Sequence, residues 1–132
     1  MSKNAMEIAV NLQKKYNKMN EIYDLTKQMQ ESLYRDDLYS LKLIVRMRTK
    51  AMIEIDHIEN ERLELIEELL EDEKGSILQS MSEEAVHEQL NTPELKKINE
   101  IYMQFRRILE KTIELDKVVN LKANKGNSSY AY

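Results

Sequence analysis

An all-α protein is predicted, and three observations predict it. Gly occurs twice and Pro once in 132 residues, too few turn-formers for a chain of many short elements. One third of the residues (33%) are charged, as the solvated faces of long helices require. Apolar residues recur at helical spacing rather than in alternation along most of the chain. The length suits one domain able to bury a core without metals or disulfides. That domain is expected over 1–122, with 123–132, a small polar stretch holding two tyrosines, as a mobile tail.

In the first segment Leu12, Met19, Ile22, Thr26, Met29 and Leu33 are spaced 7, 3, 4, 3 and 4, with Tyr16 filling the gap. This is the heptad-like stripe of a packed helix reaching about Leu33. Arg35-Asp36-Asp37 then supplies a helix start, because a short carboxylate accepts from free backbone N–H groups and favours the positive helix end. From Leu38 the set Leu41, Ile44, Val45, Met52, Ile55, Ile58, Ile66, Leu69 and Leu70 marks a long second helix, which Gly75-Ser76 is expected to stop. Helices of about 30 residues are each about 45 Å long, so a short turn between them predicts an extended antiparallel hairpin.

Residues 76–91 predict a short helix capped by Ser80 or Ser82, with Met81, Ala85, Val86 and Leu90 as its apolar edge. Thr92-Pro93 is a clear restart, because Pro at the first helical position lacks only an N–H that has no partner there. The third long helix carries Leu95, Ile98, Tyr102, Phe105, Leu109, Thr112 or Ile113, and Val119, and would close the hairpin into a three-helix bundle.

Composition excludes several chemistries. With no Cys there is no disulfide framework, thiolate metal site or thiol nucleophile. The opening residues Met1 to Glu7 contain no apolar signal core, and no stretch approaches the ~20 apolar residues that cross a bilayer. A cytoplasmic location without membrane insertion is expected. The net charge of −4 is uneven: residues 1–58 sum to +2, 59–93 to −9 and 94–132 to +3. The acidic run Glu59 to Glu73 reads as a solvated helix face.

Two Glu-x-x-His pairs, Glu54/His57 and Glu84/His87, match the motif of carboxylate-bridged di-iron bundles, and Glu21 offers a third carboxylate. The architecture is one helix short of such a site. His57 also lies two residues from core-facing Ile55, about 200° round the helix, and is expected to face solvent. No Ser neighbours a His and no Gly-rich loop is present to hold phosphate. The chain is therefore expected not to be an enzyme and to need no cofactor.

Lys42, Arg46 and Lys50 fall on one helix face with Arg48 nearby, a stripe that suits phosphates. It equally suits a solvated helix, and no recognition-helix pattern accompanies it, so no nucleic-acid partner is expected. The eight methionines are more suggestive. Met6, Met19, Met29, Met47, Met52 and Met103 lie at or beside the stripes, and flexible thioethers suit surfaces that accept varied apolar partners as well as ordinary cores.

A set of fragments resembles the flagellar export chaperones of the FlgN and FliT type. These are Leu25-Thr26, Gln30-Glu31-Ser32-Leu33, Asp37-Leu38-Tyr39-Ser40-Leu41, the run Arg48-x-x-x-Met52-x-x-Ile55-Asp56, and Leu115-Asp116-Lys117-x-x-Asn120 within Ile113 to Asn120. Tyr39 departs from the acidic residue common at its position. The resemblance implies a cytoplasmic chaperone that binds terminal helices of hook-associated or filament-cap proteins, keeps them unpolymerised and hands them to the type III export apparatus, without ATP or metal. It places client contact on the last helix, which maps to Ile98, Tyr102, Phe105 and Leu109, the same residues that best suit the bundle's own core. The rival expectation is a structural or regulatory coiled-coil protein that acts as a homodimer.

Overall fold

The structure is a computed structural model that describes residues 3–85 and 90–126. Among them are four helices and no strand: α1 (Lys3–Tyr34), α2 (Leu38–Glu67), α3 (Glu71–Ser80) and α4 (Pro93–Gly126).

Helix α1 is the central element, packed along both α2 and α4. Its predicted stripe is buried throughout, from Leu12 through Met19, Ile22, Thr26 and Met29 to Leu33. Three apolar clusters follow one another along it. Ala5, Ile8 and Leu12 meet Ile66 and Leu69 of the α2 end, Ile77 of α3, and Leu95, Ile98 and Ile101 of α4. Met19 and Ile22 meet Ala51 and Phe105. Leu25, Met29 and Leu33 meet Leu41, Ile44, Val119 and Ala123. This order makes α2 antiparallel to α1 and α4 parallel to it.

The α1–α2 turn forms where the sequence predicts it. Asp37 N donates to Ser32 O at 2.8 Å and Asp36 N to Leu33 O at 3.2 Å, the paired bonds of a Schellman closure. Asp36 takes the left-handed position there, with φ 54, which a short polar side chain tolerates better than a bulky one. Asp37 then caps α2, accepting from Ser40 N at 3.0 Å and from Ser40 Oγ at 2.6 Å. These bonds hold its carboxyl below the ordinary carboxylate range.

Several helix boundaries differ from expectation. Helix α2 ends at Glu67 with Glu68 as its C-cap, and Gly75-Ser76 lies inside α3. Packing sets this break, because turning the chain at Leu69 buries both Leu69 and Ile77 in the cluster at the start of α1 and α4, a gain that an uninterrupted helix forgoes. Leu70, expected in the core, becomes the extended N-cap of α3 at 73% exposure. Glu71, Asp72 and Glu73 fill the first turn of α3, where the helix dipole favours carboxylates.

The short helix thus covers 71–80 rather than 76–91. Ser82 Oγ accepts from Glu84 N in a turn that follows, and Val86 lies outside the described residues. Thr92 caps α4 by accepting from Leu95 N at 3.2 Å. Helix α4 continues past Lys122 to Gly126 because Ala123 is buried against α1 and α2. Residues 127–132 of the expected tail lie outside the described residues.

A candidate helix-binding cleft between α2 and α4

Although α2 and α4 both pack along α1, their backbones scarcely approach each other. Side chains bridge the gap and leave a cleft of about 290 Å³. Its floor is Met19 and Ile22 of α1; Met52, Ile55 and Asp56 form the α2 wall, and Leu109, Ile113 and Asp116 the α4 wall. Met52 and Ile113 are 43% and 45% exposed, so the apolar lining reaches the surface on both sides. An apolar cleft that opens to the surface between two helices suits apolar side chains of a partner better than a small polar metabolite.

One end of the cleft is closed by Arg48, which is only 8% exposed. Its Nη1 donates to Asp116 Oδ1 at 2.6 Å and to Thr26 Oγ1 at 3.3 Å, while the Thr26 hydroxyl donates to Ile22 O at 2.7 Å. This corrects the reading of Arg48 as a neighbour of a solvated cationic stripe: Lys42, Arg46 and Lys50 remain exposed, but Arg48 points inward. A guanidinium tolerates that position because a carboxylate and a hydroxyl satisfy it there. Thr26, Arg48 and Asp116 come from three separate fragments quoted above, and they meet at this one point.

The four residues expected on the client surface separate by depth. Ile98 is fully buried among α1, α3 and α4 side chains. Phe105 is 7% exposed and lies beneath the Lys15 ammonium, 4.1 Å from the ring centroid. Tyr102 is half-buried beside Met81 and Arg106 in a separate, more polar depression. Leu109 alone of the four lines the cleft. Met52, Asp56, Ile113 and Asp116 were not expected as walls. Met52 and Ile113 carried a signal as stripe residues, but which flank of each helix stays open depends on how far apart α2 and α4 stand.

The carboxylates weighed as metal ligands have another task. Glu21 and Glu54 both hold the Lys18 ammonium, at 2.8 and 2.6 Å. These bonds raise the Lys18 pKa, Glu21 contributing most, and Lys18 in turn lowers that of Glu54. His57 is exposed, as its helical angle predicts, and His87 lies outside the described residues. Among the described residues no group of three or more His, Asp or Glu side chains is placed to hold a metal ion.

A second depression lies on the other flank of the α1–α2 pair, where Met6 and Val10 face Leu65. Buried Asn11 lines it, donating through Nδ2 to Ile58 O at 2.9 Å. Nearby, Lys15 pairs with Glu59, and Arg62 grips the same carboxylate at 2.5 and 2.8 Å. Burial lowers the Lys15 pKa. For Glu59, burial pushes upward, but the bonds from Arg62 and Lys15 outweigh it and the carboxyl titrates below its ordinary value.

No family model, curated protein or solved structure is significantly similar to this chain. No described helix is long and apolar enough to cross a membrane.

Proposed function

We propose that this chain is a cytoplasmic export chaperone. It binds amphipathic terminal helices of flagellar hook-associated or filament-cap proteins, prevents their premature assembly and delivers them to the type III export apparatus. The observation that carries this reading is the apolar cleft between α2 and α4, closed at one end by Arg48 and open at the surface where Met52 and Ile113 are exposed. We read the architecture as a long α1–α2 hairpin joined by α4 as a third long helix, with α3 as the short element before it. In a four-helix bundle another helix would lie across α2 and α4. Helix α3 has ten residues, about 15 Å at the usual rise, against about 50 Å for α4, and it packs at the α4 N-terminal end. None of its residues lines the cleft, so α3 leaves that opening uncovered.

A client helix buries its apolar stripe against Met52, Ile55, Leu109 and Ile113, and the flexible thioether of Met52 adapts to different side chains. The work is binding, with no catalysis, cofactor, nucleic acid or membrane insertion. Among the four expected contact residues, Ile98 and Phe105 hold the bundle together, while Tyr102 and Leu109 offer surface. The resemblance to the FlgN and FliT type names the client class, and the meeting of Thr26, Arg48 and Asp116 supports it by giving the matched fragments a common structural purpose.

Calorimetric titration against C-terminal helical segments of hook-associated and cap proteins tests the proposal, with an unrelated amphipathic helix as control. Specific, stoichiometric binding of one segment is expected. Equal or absent binding across all segments would favour the rival, a coiled-coil scaffold that dimerises through the hairpin, for which Leu43 and Met47, each 48% exposed on α2, are the motivating residues. Sedimentation equilibrium then reports the dimer directly.

A further inference from the structure

The cleft is not only apolar; its charges are arranged. Asp56 stands on the α2 wall, and Asp116 on the α4 wall, bonded to Arg48. Because α2 and α4 run antiparallel, the two carboxylates occupy opposite walls and opposite ends. Along α2 the interval from Arg48 to Asp56 is eight residues, about 12 Å of helix. The positive charge at this site faces away from the opening: Arg48 is buried and directed at Thr26 and Asp116. The Asp116 side chain keeps about a third of its surface exposed (33%), and its Oδ2 is free of the Arg48 bond. Asp56 is exposed, and no described residue pairs with it. A helix entering the trough therefore meets aliphatic and thioether groups below and carboxylates at the rim.

We infer that the α2–α4 cleft selects a basic amphipathic helix, one that seats two apolar side chains a turn apart and brings a Lys or Arg to Asp56. The inference rests on the proposed helix-binding function and adds the chemistry of the client. Volume sets the apolar part: about 290 Å³ holds roughly two large aliphatic side chains at i and i+4, the anchor spacing of a helix lying in a groove. Charge sets the remainder. A Glu at the flanking position meets Asp56 and Asp116 as like charges in a partly desolvated trough, whereas a Lys or Arg meets an unpaired acceptor. The ion pair at Asp56 is exposed and contributes modestly to affinity, so its main effect is discrimination between clients.

The test uses the full chain and two designed helical peptides of about 16 residues. They share one Leu pair at i and i+4 in an alanine-based sequence and differ only in carrying Lys or Glu at the flanking position. Binding is read by fluorescence anisotropy at about 0.15 M salt, where long-range attraction to the net negative charge is screened. The Lys peptide is expected to bind at least about threefold more tightly than the Glu peptide. In Asp56→Lys this preference inverts, while in Asp24→Lys, an equal charge change on the exposed flank of α1, it persists. Equal binding of the two peptides, or a preference that Asp24→Lys removes as readily as Asp56→Lys, overturns the inference and leaves helix binding standing. Binding of hook-associated or cap segments but of neither designed peptide likewise overturns it alone. If neither the peptides nor the natural segments bind, the proposed function fails and the inference with it. Circular dichroism of each variant keeps the outcome readable, since Asp56 and Asp24 are exposed and make no core contact.

Discussion

Arg48 ties three helices together, because one guanidinium nitrogen joins α2 to α1 through Thr26 and to α4 through Asp116. Arg48→Ala leaves Asp116 without its cation and opens space beside the cleft. Full loss of a buried pair costs about 3–5 kcal/mol, but Asp116 is a third exposed and water recovers part of that. A loss of about 2 kcal/mol is expected in urea unfolding at unchanged m value. The double replacement Arg48→Met with Asp116→Leu should recover most of it, since neither charge is then left unpaired. Glu59 gives a separate, pH-dependent expectation. Its pKa in the folded chain lies below the ordinary 4.5 because the bonds from Arg62 and Lys15 outweigh burial. The associated stability is therefore present above pH 4.5 and lost as pH falls through the lower, folded value. Asp37 and Glu54 are lowered as well, by Ser40 and by Lys18 respectively, and add in the same direction. The midpoint of thermal unfolding should fall on acidification below about pH 4.5, and Glu59→Gln should flatten that decline.

Asp36 and Gly75 invert the usual use of glycine. At Asp36 the backbone adopts φ 54 without a glycine, and an L side chain there carries a steric cost that Gly would remove. Asp36→Gly is expected to raise stability by about 0.5 kcal/mol. Conversely, Gly75 lies within α3, has no positive φ, and an added Cβ would meet nothing within 4 Å. Gly75→Ala should stabilise the chain by up to about 1 kcal/mol through helix propensity and a less disordered unfolded state. Thermal unfolding of the two single variants and their combination checks both values and their additivity, since the sites lie at opposite ends of the bundle. This also explains why the sequence marked a stop at Gly75 where the helix continues. A glycine signals permission to turn, and the break came instead at Leu69, where turning buries apolar surface.

At the scale of the whole molecule, α1 holds two long helices that leave a cleft between them, and this cleft is the feature on which the proposed binding depends. Ile113→Lys places a charge on the cleft wall at a position that is 45% exposed. It is expected to weaken binding of a client segment by at least tenfold while changing the unfolding midpoint little; calorimetry and thermal unfolding on the same sample distinguish the two effects. Phe105→Ala acts differently. Phe105 joins Met19, Ile22 and Ala51 in the middle of the bundle, and its truncation should cost about 3 kcal/mol. A variant that stays folded and binds a client undiminished would remove Phe105 from the contact surface.

Composition, helical periodicity and local capping residues were enough to specify an all-α chain, the buried stripe of α1, the α2 start after Arg35-Asp36-Asp37 and the Thr92-Pro93 start of α4, because each local feature depends on residues within a few positions of one another. The same local rules put His57 in solvent. Three matters depended on partners far away in sequence. Leu69 and Ile77 turned one expected helix into two because a cluster at the bundle end could bury both. Arg48, which reads as one more cation on a solvated helix, became buried because Asp116, 68 residues later, arrived beside it. The cleft exists because α2 and α4 each found α1 a better neighbour than one another, a choice made by the relative positions of whole helices that no local pattern of residues records.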